Sequence, residues 1–340
     1  MAVTLRQVAA QAGVSPVVVS KVLHNRAQGV RVSEATAERV RQAAADLGYR
    51  CNVWARNFRD RQTYTIGVLH GIGFERPYFD RGSRYFASLM DGIVDGGFKH
   101  GYSITMCPRL LGQTPEDAMA DGRFDGLVWY SASLSEANRA MLRRCSVPIV
   151  LIHCDASEFE NKFPTVLCDN DQGIGLAVDH LADLGHKSIA LAIESWPDNP
   201  EMDKRAGAFT RHTRRRGLEL TTSIVTIDSE RSQLNDLLAG RRFTAILASH
   251  DGLAEGIMNA AKTIGISIPD ELSLVGFDST AFCNELRPTL TSVSQPVFKM
   301  GARSIDLLVE SMSSPVVDSI EIMFPCGLDV RDSTSPLKNR

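Results

Sequence analysis

The sequence predicts an all-α helix-turn-helix head followed by an α/β body of two Rossmann-like lobes. Short capped helical segments fill the first 48 residues, and from residue 63 short Val- and Ile-rich runs alternate with amphipathic segments. The body, from residue 63 onwards, is longer than the segment that a single hydrophobic core usually stabilises, which indicates two lobes. Hydrophobic residues make up 44% of the 340 residues and charged residues 23%, which is typical of a globular protein.

Charge separates the two parts of the chain. The whole chain has a net charge of −3, but residues 1–60 hold nine Lys and Arg against four acidic residues. The remaining residues are net acidic, with 28 basic and 36 acidic side chains. A small basic module on an acidic body is typical of a phosphate-binding, and hence nucleic-acid-binding, head.

The first helices have clear boundary signals. Thr4 and Gln7 have the spacing of a capping box, and Gly13 is placed to end the helix in a left-handed conformation. Ser15 can cap a second helix, with Pro16 at its first position, where the missing N–H costs nothing. Two short helices joined by such a turn form a helix-turn-helix.

A third helix is predicted from Glu34 to Leu47, capped by Ser33 and ended by Gly48. The head and the hinge that follows it contain four motifs: T-L-x-x-V-A-x-x-A-G-V-S from Thr4, V-S-x-V-L from Val19, V-S-x-x-T from Val32 and L-G-Y-x-x-N-x-x-A-R from Leu47. With these motifs, the head resembles the DNA-binding head of the lactose-repressor (LacI/GalR) family of transcription regulators.

The resemblance and the residue types together predict how the head binds DNA. The start of the second helix presents the candidates for base contacts, and basic or hydroxyl side chains are candidates for phosphate contacts. Phe58 stands where the family usually has a leucine that wedges into the minor groove; the alternative is a linker residue packed on the body. The base-contact candidates are Pro16, Val17 and Lys21, and the phosphate-contact candidates are Arg6, Ser20, Arg56 and Arg59.

The body resembles the effector domain of the same family, which has the shape of a periplasmic sugar-binding protein. Matching stretches include Asp169-Asn170-x-x-Gly173 and Ile268 to Asp278. The resemblance implies a head at 1–48, a hinge at 49–62, an effector and dimerisation domain at 63–332 and a polar tail at 333–340. It places 63–165 and about 296–318 in one lobe, and 166–295 and about 319–332 in the other, with three crossings.

The fold predicts an effector site beyond the carboxyl ends of the strands, between the lobes. Arg205 and Asp278 align with family positions that clamp effector hydroxyls or a carboxylate, and Trp129 or Trp196 is suited to stacking on a sugar ring. The full set of effector candidates is His70, Trp129, His153, Glu194, Arg205, His250 and Asp278.

Several candidates also have a purely structural interpretation. Asp251 is equally well placed as the N-cap of a helix over 252–264. Asp278 is suited to capping a turn and Arg205 to a surface ion pair, while His70 and His153 are as easily packed as ligating.

The function implied by the resemblance is a ligand-responsive DNA-binding regulator, in the first place a repressor of carbohydrate-utilisation genes. It would bind a near-palindromic operator as a homodimer, with an effector between the lobes shifting the hinge. An activator of the same family is the alternative. An α/β enzyme is disfavoured because the chain lacks the P-loop and nucleophile-elbow motifs and a complete Rossmann glycine pattern.

Other classes are disfavoured by composition. The seven cysteines are scattered and the eight histidines lack ligand spacing, so the sequence predicts neither a disulfide framework nor a metal, and we expect no cofactor. A transport-type solute receptor is disfavoured because the N-terminus reads as a helix and not as a signal peptide. No apolar run reaches membrane-spanning length, and a cytoplasmic location is expected.

Overall fold

The computed structural model describes residues 3–24, 31–50, 57, 61–70, 84–106, 121–130, 136–155, 163–195, 199–218, 222–228, 232–313 and 320–338. The chain divides into two compact units, residues 1–63 and 64–340.

The described part of the first unit is a three-helix head, α1 (Leu5–Ala12), α2 (Pro16–His24) and α3 (Glu34–Asp46). The predicted capping box is present, since the Gln7 amide donates to Thr4 Oγ1 at 3.4 Å and the Thr4 amide donates to Gln7 Oε1 at 2.8 Å. Gly13 ends α1 with φ 66°, a conformation that glycine adopts without a Cβ clash. The three helices enclose a small core of Val8, Ala9, Ala12, Val19, Val40, Ala43 and Ala44.

The second unit consists of two lobes, each built on a six-stranded sheet. The first sheet has the order β11-β5-β4-β3-β1-β2 and its described strand pairs are parallel. Its elements are β1 (Thr65–His70), α4 (Arg84–His100), β2 (Ser103–Met106), β3 (Gly126–Tyr130), α5 (Glu136–Arg144), β4 (Ile149–Ile152), β5 (Thr165–Cys168), α10 (Val297–Ser313) and β11 (Glu321–Phe324).

The second sheet has the order β12-β10-β9-β8-β6-β7, parallel except for the antiparallel pair β10 and β12. Its elements are α6 (Asn170–Asp183), β6 (Ile189–Glu194), α7 (Pro200–Arg215), β7 (Thr222–Ile227), α8 (Leu234–Ala239), β8 (Ala245–Ala248), α9 (Asp251–Thr263), β9 (Ser273–Asp278), a 3-10 turn (Ala281–Asn284), β10 (Thr291–Ser294) and β12 (Gly327–Asp329). The all-α head and the doubly covered parallel sheets confirm the predicted fold class.

Two lobe boundaries differ from the prediction. Residues 166–168 and 321–324 were expected in the second lobe, but they lie in strands β5 and β11 of the first sheet, where Thr165 is in register with Glu321 and β5 also pairs with β4. The crossings therefore follow Cys168 and Phe324. A strand of four residues has the same apolar sequence pattern whichever sheet it joins, so the sequence does not reveal its sheet.

Helices α4 and α10 cross at backbone contact, which attaches the late helix α10 to the first lobe. A Cβ on Gly92 would lie 2.0 Å from the Phe298 carbonyl oxygen, and one on Gly301 would lie 2.3 Å from the Leu89 carbonyl oxygen. Because real side chains cannot approach so closely, glycine is required at both positions for this packing.

The C-terminal residues, predicted as a separate polar tail, pack on the second lobe. The Ser333 hydroxyl is buried, accepts from the Thr291 amide at 2.8 Å and donates to the Leu274 carbonyl at 2.6 Å. The Leu337 amide donates to the Leu184 carbonyl at 2.8 Å. Within the described part of the chain, every helix falls short of the length and apolarity needed to cross a membrane.

Candidate functional site

The predicted DNA-reading face lies at the start of α2. Val19 points into the head core, whereas Pro16 is exposed and Val17 is 56% exposed. Ser20 and Lys21 are half-buried on the same helix, and Arg6 is exposed on α1. An apolar side chain as exposed as Val17 is available for contact with a thymine methyl group. Arg56, Phe58 and Arg59 lie outside the described residues.

In the second unit, polar side chains gather where parallel strands end. Glu194 and Asp278 are the last residues of β6 and β9, His153 follows β4, and His250 lies between β8 and α9. This is the edge at which open α/β sheets bind ligands. The arrangement brings these residues close to the chain crossings.

Arg205, on α7, is buried and held from three sides. Its Nε donates to Asn170 Oδ1 at 2.8 Å, its Nη1 donates to the Ser249 carbonyl, and its guanidinium carbon lies 3.8 Å from the centre of the Phe277 ring. A guanidinium fixed in this way keeps one orientation, which suits recognition of a carboxylate or a pair of hydroxyls. The surface ion-pair interpretation is wrong, since Arg205 is buried.

Asp278 has an unusual backbone and environment. Its φ is 115°, a region that L-residues rarely adopt, and its Oδ1 accepts from Gln295 Nε2 at 2.7 Å. Burial raises the pKa of Asp278 well above its usual range, and the nearby Asp251 carboxylate raises this pKa further. A carboxyl with a strained backbone and a raised pKa at a strand end is typical of a functional position.

Asp251 is not the N-cap that the sequence allowed. Its Oδ2 accepts from the Thr280 amide at 2.8 Å and its Oδ1 accepts from the Ser292 hydroxyl at 2.6 Å, so it ties three segments of the second lobe together. The cap of α9 is His250, whose Nδ1 accepts from the Leu253 amide at 3.2 Å.

Because His250 Nδ1 accepts, its Nε2 carries the proton and donates to Glu194 Oε2 at 2.6 Å. The two effector candidates are thus hydrogen-bonded to each other. They form a polar wall beside Ser249, whose carbonyl accepts from Arg205.

His153 belongs to a buried cluster with Cys168 and Glu201. Its Nε2 is hydrogen-bonded to the Tyr85 hydroxyl, and its Nδ1 lies 3.4 Å from Glu201 Oε2. Burial alone would lower the pKa of His153, but the Cys168 and Glu201 side chains raise it to about 9. Glu201 Oε2 also accepts from Asn170 Nδ2 at 2.7 Å, and Glu201 Oε1 accepts from Lys204 Nζ at 2.9 Å.

The chain matches two family models. Residues 4–52 match "Bacterial regulatory proteins, lacI family", and residues 178–334 match "Periplasmic binding protein-like domain". Catabolite control protein A of Priestia megaterium is 30% identical over 344 residues, covering 98% of this chain and all of that protein. The chain belongs to the lacI family of regulatory proteins. It is therefore a DNA-binding transcriptional regulator.

Solved structures agree with this assignment. The Lac repressor dimer bound to operator and the anti-inducer ONPF has a TM-score of 0.80 at 24% identity, covering 98% of this chain and all of that one, and shows the same fold. A LacI-family transcriptional regulator from Enterococcus faecium with bound ribose has a TM-score of 0.69 at 26% identity. The match covers 81% of this chain and the whole of the Enterococcus faecium chain.

In this lacI-family chain, the predicted effector residues do not all converge. Trp129 is only 2% exposed and packs with Leu127 and Leu142 in the core beneath α5, because it lies on the opposite face of β3 from Tyr130. Its predicted stacking role is therefore wrong. His70 ends β1 but its side chain lies outside what the structure describes, and Trp196 lies outside the described residues.

Sequence reasoning missed several residues of the cluster. Glu201, Cys168 and Tyr85 come from three separate elements, and their meeting depends on the packing of the two lobes. A signal was available only for Asn170, which lies in the quoted D-N-x-x-G stretch.

Proposed function

We propose that this lacI-family regulator is a repressor controlled by a small polyhydroxylated molecule, such as a sugar, bound beside Arg205 and Asp278. The observation that carries the proposal is the fixed pair of groups at the strand ends. The buried guanidinium of Arg205 provides donors, and the Asp278 carboxyl, bonded to Gln295, provides acceptors. Such a pair recognises vicinal hydroxyls.

The ribose-bound Enterococcus faecium regulator supports a sugar as the ligand class, since it covers 81% of this chain at 26% identity. Glu194 and His250 form a polar wall, and the hydrogen bond between them gives the His250 imidazole a defined tautomer. We assign these two side chains a secondary role in effector binding, after Arg205 and Asp278.

On the DNA side, we assign base contacts to Pro16, Val17 and Lys21, and phosphate contacts to Arg6, Ser20, Arg56 and Arg59. Phe58 is assigned the minor-groove wedge. Two heads of a homodimer would read the two halves of a near-palindrome. The effector acts by binding one arrangement of the lobes better than the other, so that it shifts the population competent to bind DNA.

The test begins with selection of bound duplexes from a random library by the full-length protein at two salt concentrations. A near-palindromic motif whose affinity falls steeply with salt is expected. Ribose and a panel of pentoses and hexoses are then tested for release of the selected duplex.

The decisive variant is Asp278→Asn, which keeps the side-chain size and removes the carboxylate. It should bind the operator as tightly as the unmodified protein but lose the sugar response. Asp236→Asn, an exposed change on α8 of the same lobe, is the matched control and should respond normally. A sugar response unaltered by Asp278→Asn would contradict the proposed site.

A further inference from the structure

A compact cluster of possible metal ligands lies where the chain crosses from one lobe to the other. His153 follows β4, Cys168 is the last residue of β5, and Glu201 is in the first turn of α7. Their relative exposures are 5%, 4% and 5%. One ligand atom from each side chain lies within 4.8 Å of the other two.

The separations within the cluster match those around a tetrahedral zinc ion. His153 Nδ1 lies 3.4 Å from Glu201 Oε2, and Cys168 Sγ lies 3.8 Å from the same oxygen. Zinc bonds of about 2.1 Å to N and O and about 2.3 Å to S, at a tetrahedral angle, put N and O about 3.4 Å apart and S and O about 3.6 Å apart. The distances from Glu201 Oε2 to the other two ligand atoms are thus close to those around one zinc ion.

The histidine has an unused nitrogen aimed into this cluster. Among the described residues, His153 Nδ1 has no hydrogen-bond partner although it is buried, because its 3.4 Å contact with Glu201 lacks hydrogen-bond geometry. The other ring nitrogen, Nε2, is held by the Tyr85 hydroxyl. A ring fixed through one nitrogen with the other pointing at a carboxylate and a thiol is the usual arrangement of a ligating histidine.

Charged side chains around the three ligands balance the charge. Binding of a metal deprotonates thiols, and the added negative charge would be compensated by Lys204, bonded to the far oxygen of Glu201, and by the neighbouring Arg205. Asn170 donates to Glu201 Oε2 and would orient the carboxylate from outside the ligand shell.

We propose that His153, Cys168 and Glu201 form a zinc-binding site with three protein ligands. A nitrogen, sulfur and carboxylate donor set favours zinc over magnesium or calcium, which prefer oxygen ligands alone. His153 and Cys168 belong to the first lobe and Glu201 to the second, so a bound ion would fasten one lobe to the other. The proposal goes beyond the sugar effector, because the ion is held by protein side chains.

The test uses the full-length protein, reduced and freed of metal with a chelator, and Co²⁺ as the spectroscopic probe. One equivalent of Co²⁺ should produce intense tetrahedral d–d bands and a thiolate-to-cobalt charge-transfer band. One equivalent of Zn²⁺ should abolish both. Absence of these bands at one equivalent of Co²⁺ would overturn the proposal.

Variants locate the site. Cys168→Ser should remove the charge-transfer band, and His153→Gln and Glu201→Gln should each weaken Co²⁺ binding by more than about 100-fold, since loss of an outer-shell partner alone costs ~10–100-fold. Cys145→Ser, which alters a half-buried thiol outside the cluster, is the matched control and should keep the spectrum.

Circular dichroism of the metal-free variants establishes that each is folded. Should Cys168→Ser fail to fold, Glu201→Gln decides, because the glutamine keeps the size of the side chain and its hydrogen bond to Asn170. A tetrahedral cobalt spectrum that persists in folded His153→Gln and Glu201→Gln would place the metal elsewhere and refute the site. Because the readout is metal binding, its failure leaves the sugar-response test untouched.

Discussion

Arg205 shows how the fold fixes a single side chain in one orientation. Asn170, the Ser249 carbonyl and the Phe277 ring hold the guanidinium on three sides, and burial removes competing water. Preorganisation of this kind reduces the entropy cost of binding. The same contacts of Arg205 also stabilise the second lobe.

Arg205→Ala should therefore lower the free energy of unfolding by at least about 1–3 kcal/mol, because it leaves the Ser249 carbonyl without its donor in a buried site. Arg211→Ala, on the same helix, breaks an exposed ion pair with Asp171 and should change stability by at most about 1 kcal/mol. Urea unfolding of both variants checks the contrast. Equal costs would mean that Arg205 is not held as described.

Lys21 is assigned a base contact in the head. Lys21→Ala should relax base preference at one position of each half-site and cost about 1–3 kcal/mol of discrimination there. Lys262→Ala removes the same charge from α9 in the body and should leave the selected motif unchanged. Selection from random duplexes is the measurement, and an identical motif for Lys21→Ala would show that Lys21 does not read a base.

At the scale of elements, the predictable parts were those with strong local signals. Helix α3 was placed correctly from the Ser33 cap and Gly48. Helix α5 was missed because its sequence has few apolar positions. Strands β11 and β12 were missed because they are short and lie at the edges of their sheets.

The contact of α4 with α10 is the element-level feature most sensitive to change. Gly301→Ala should lower the free energy of unfolding by about 1–3 kcal/mol, because the new methyl group would meet the Leu89 carbonyl oxygen and force the helices apart. In Gly240→Ala the added Cβ meets nothing within 4 Å and the backbone is right-handed, so stability should be unchanged or slightly raised. Thermal unfolding of both variants is the check, and equal stabilities would contradict the close crossing.

At the scale of the whole molecule, the fold and the family could be predicted from the sequence, whereas much of the site could not. Arg205 and Asp278 occupy positions that motif alignment indicates. The contact of Glu201 with His153 joins elements of different lobes, and Trp129 was misplaced because an alternation of faces along a strand does not reveal which face meets the ligand. Side-chain convergence depends on tertiary packing, which local patterns do not encode.

The C-terminal segment should make the second lobe sensitive to acid. Burial lowers the pKa of His186, whose ring contacts the Thr244 hydroxyl and the Ser335 carbonyl, each at 3.0 Å. Below the ordinary histidine pKa of about 6.5, the unfolded chain takes up a proton that the folded chain resists. Stability from this group is therefore present above that pH and lost as the pH falls.

The measurement compares urea unfolding of the unmodified protein and His186→Gln between about pH 5 and pH 7.5. His180 is also affected, because a charged His186 lowers the pKa of His180, so the difference between the two proteins reports His186 together with its effect on His180. The unmodified protein should lose more stability on acidification than the variant. Parallel pH profiles would show that His186 does not control the acid response.

The three chain crossings have a consequence for biosynthesis. Helix α10 and strand β11 complete the first lobe, yet they are made after nearly all of the second lobe. A ribosome that has released residues up to β10 therefore presents an almost finished second lobe beside a first sheet whose β5 edge and α4 glycines are still uncovered. The first lobe therefore cannot be completed until the C-terminal residues have been made, and a truncation before α10 would leave its apolar surface exposed and prone to aggregation.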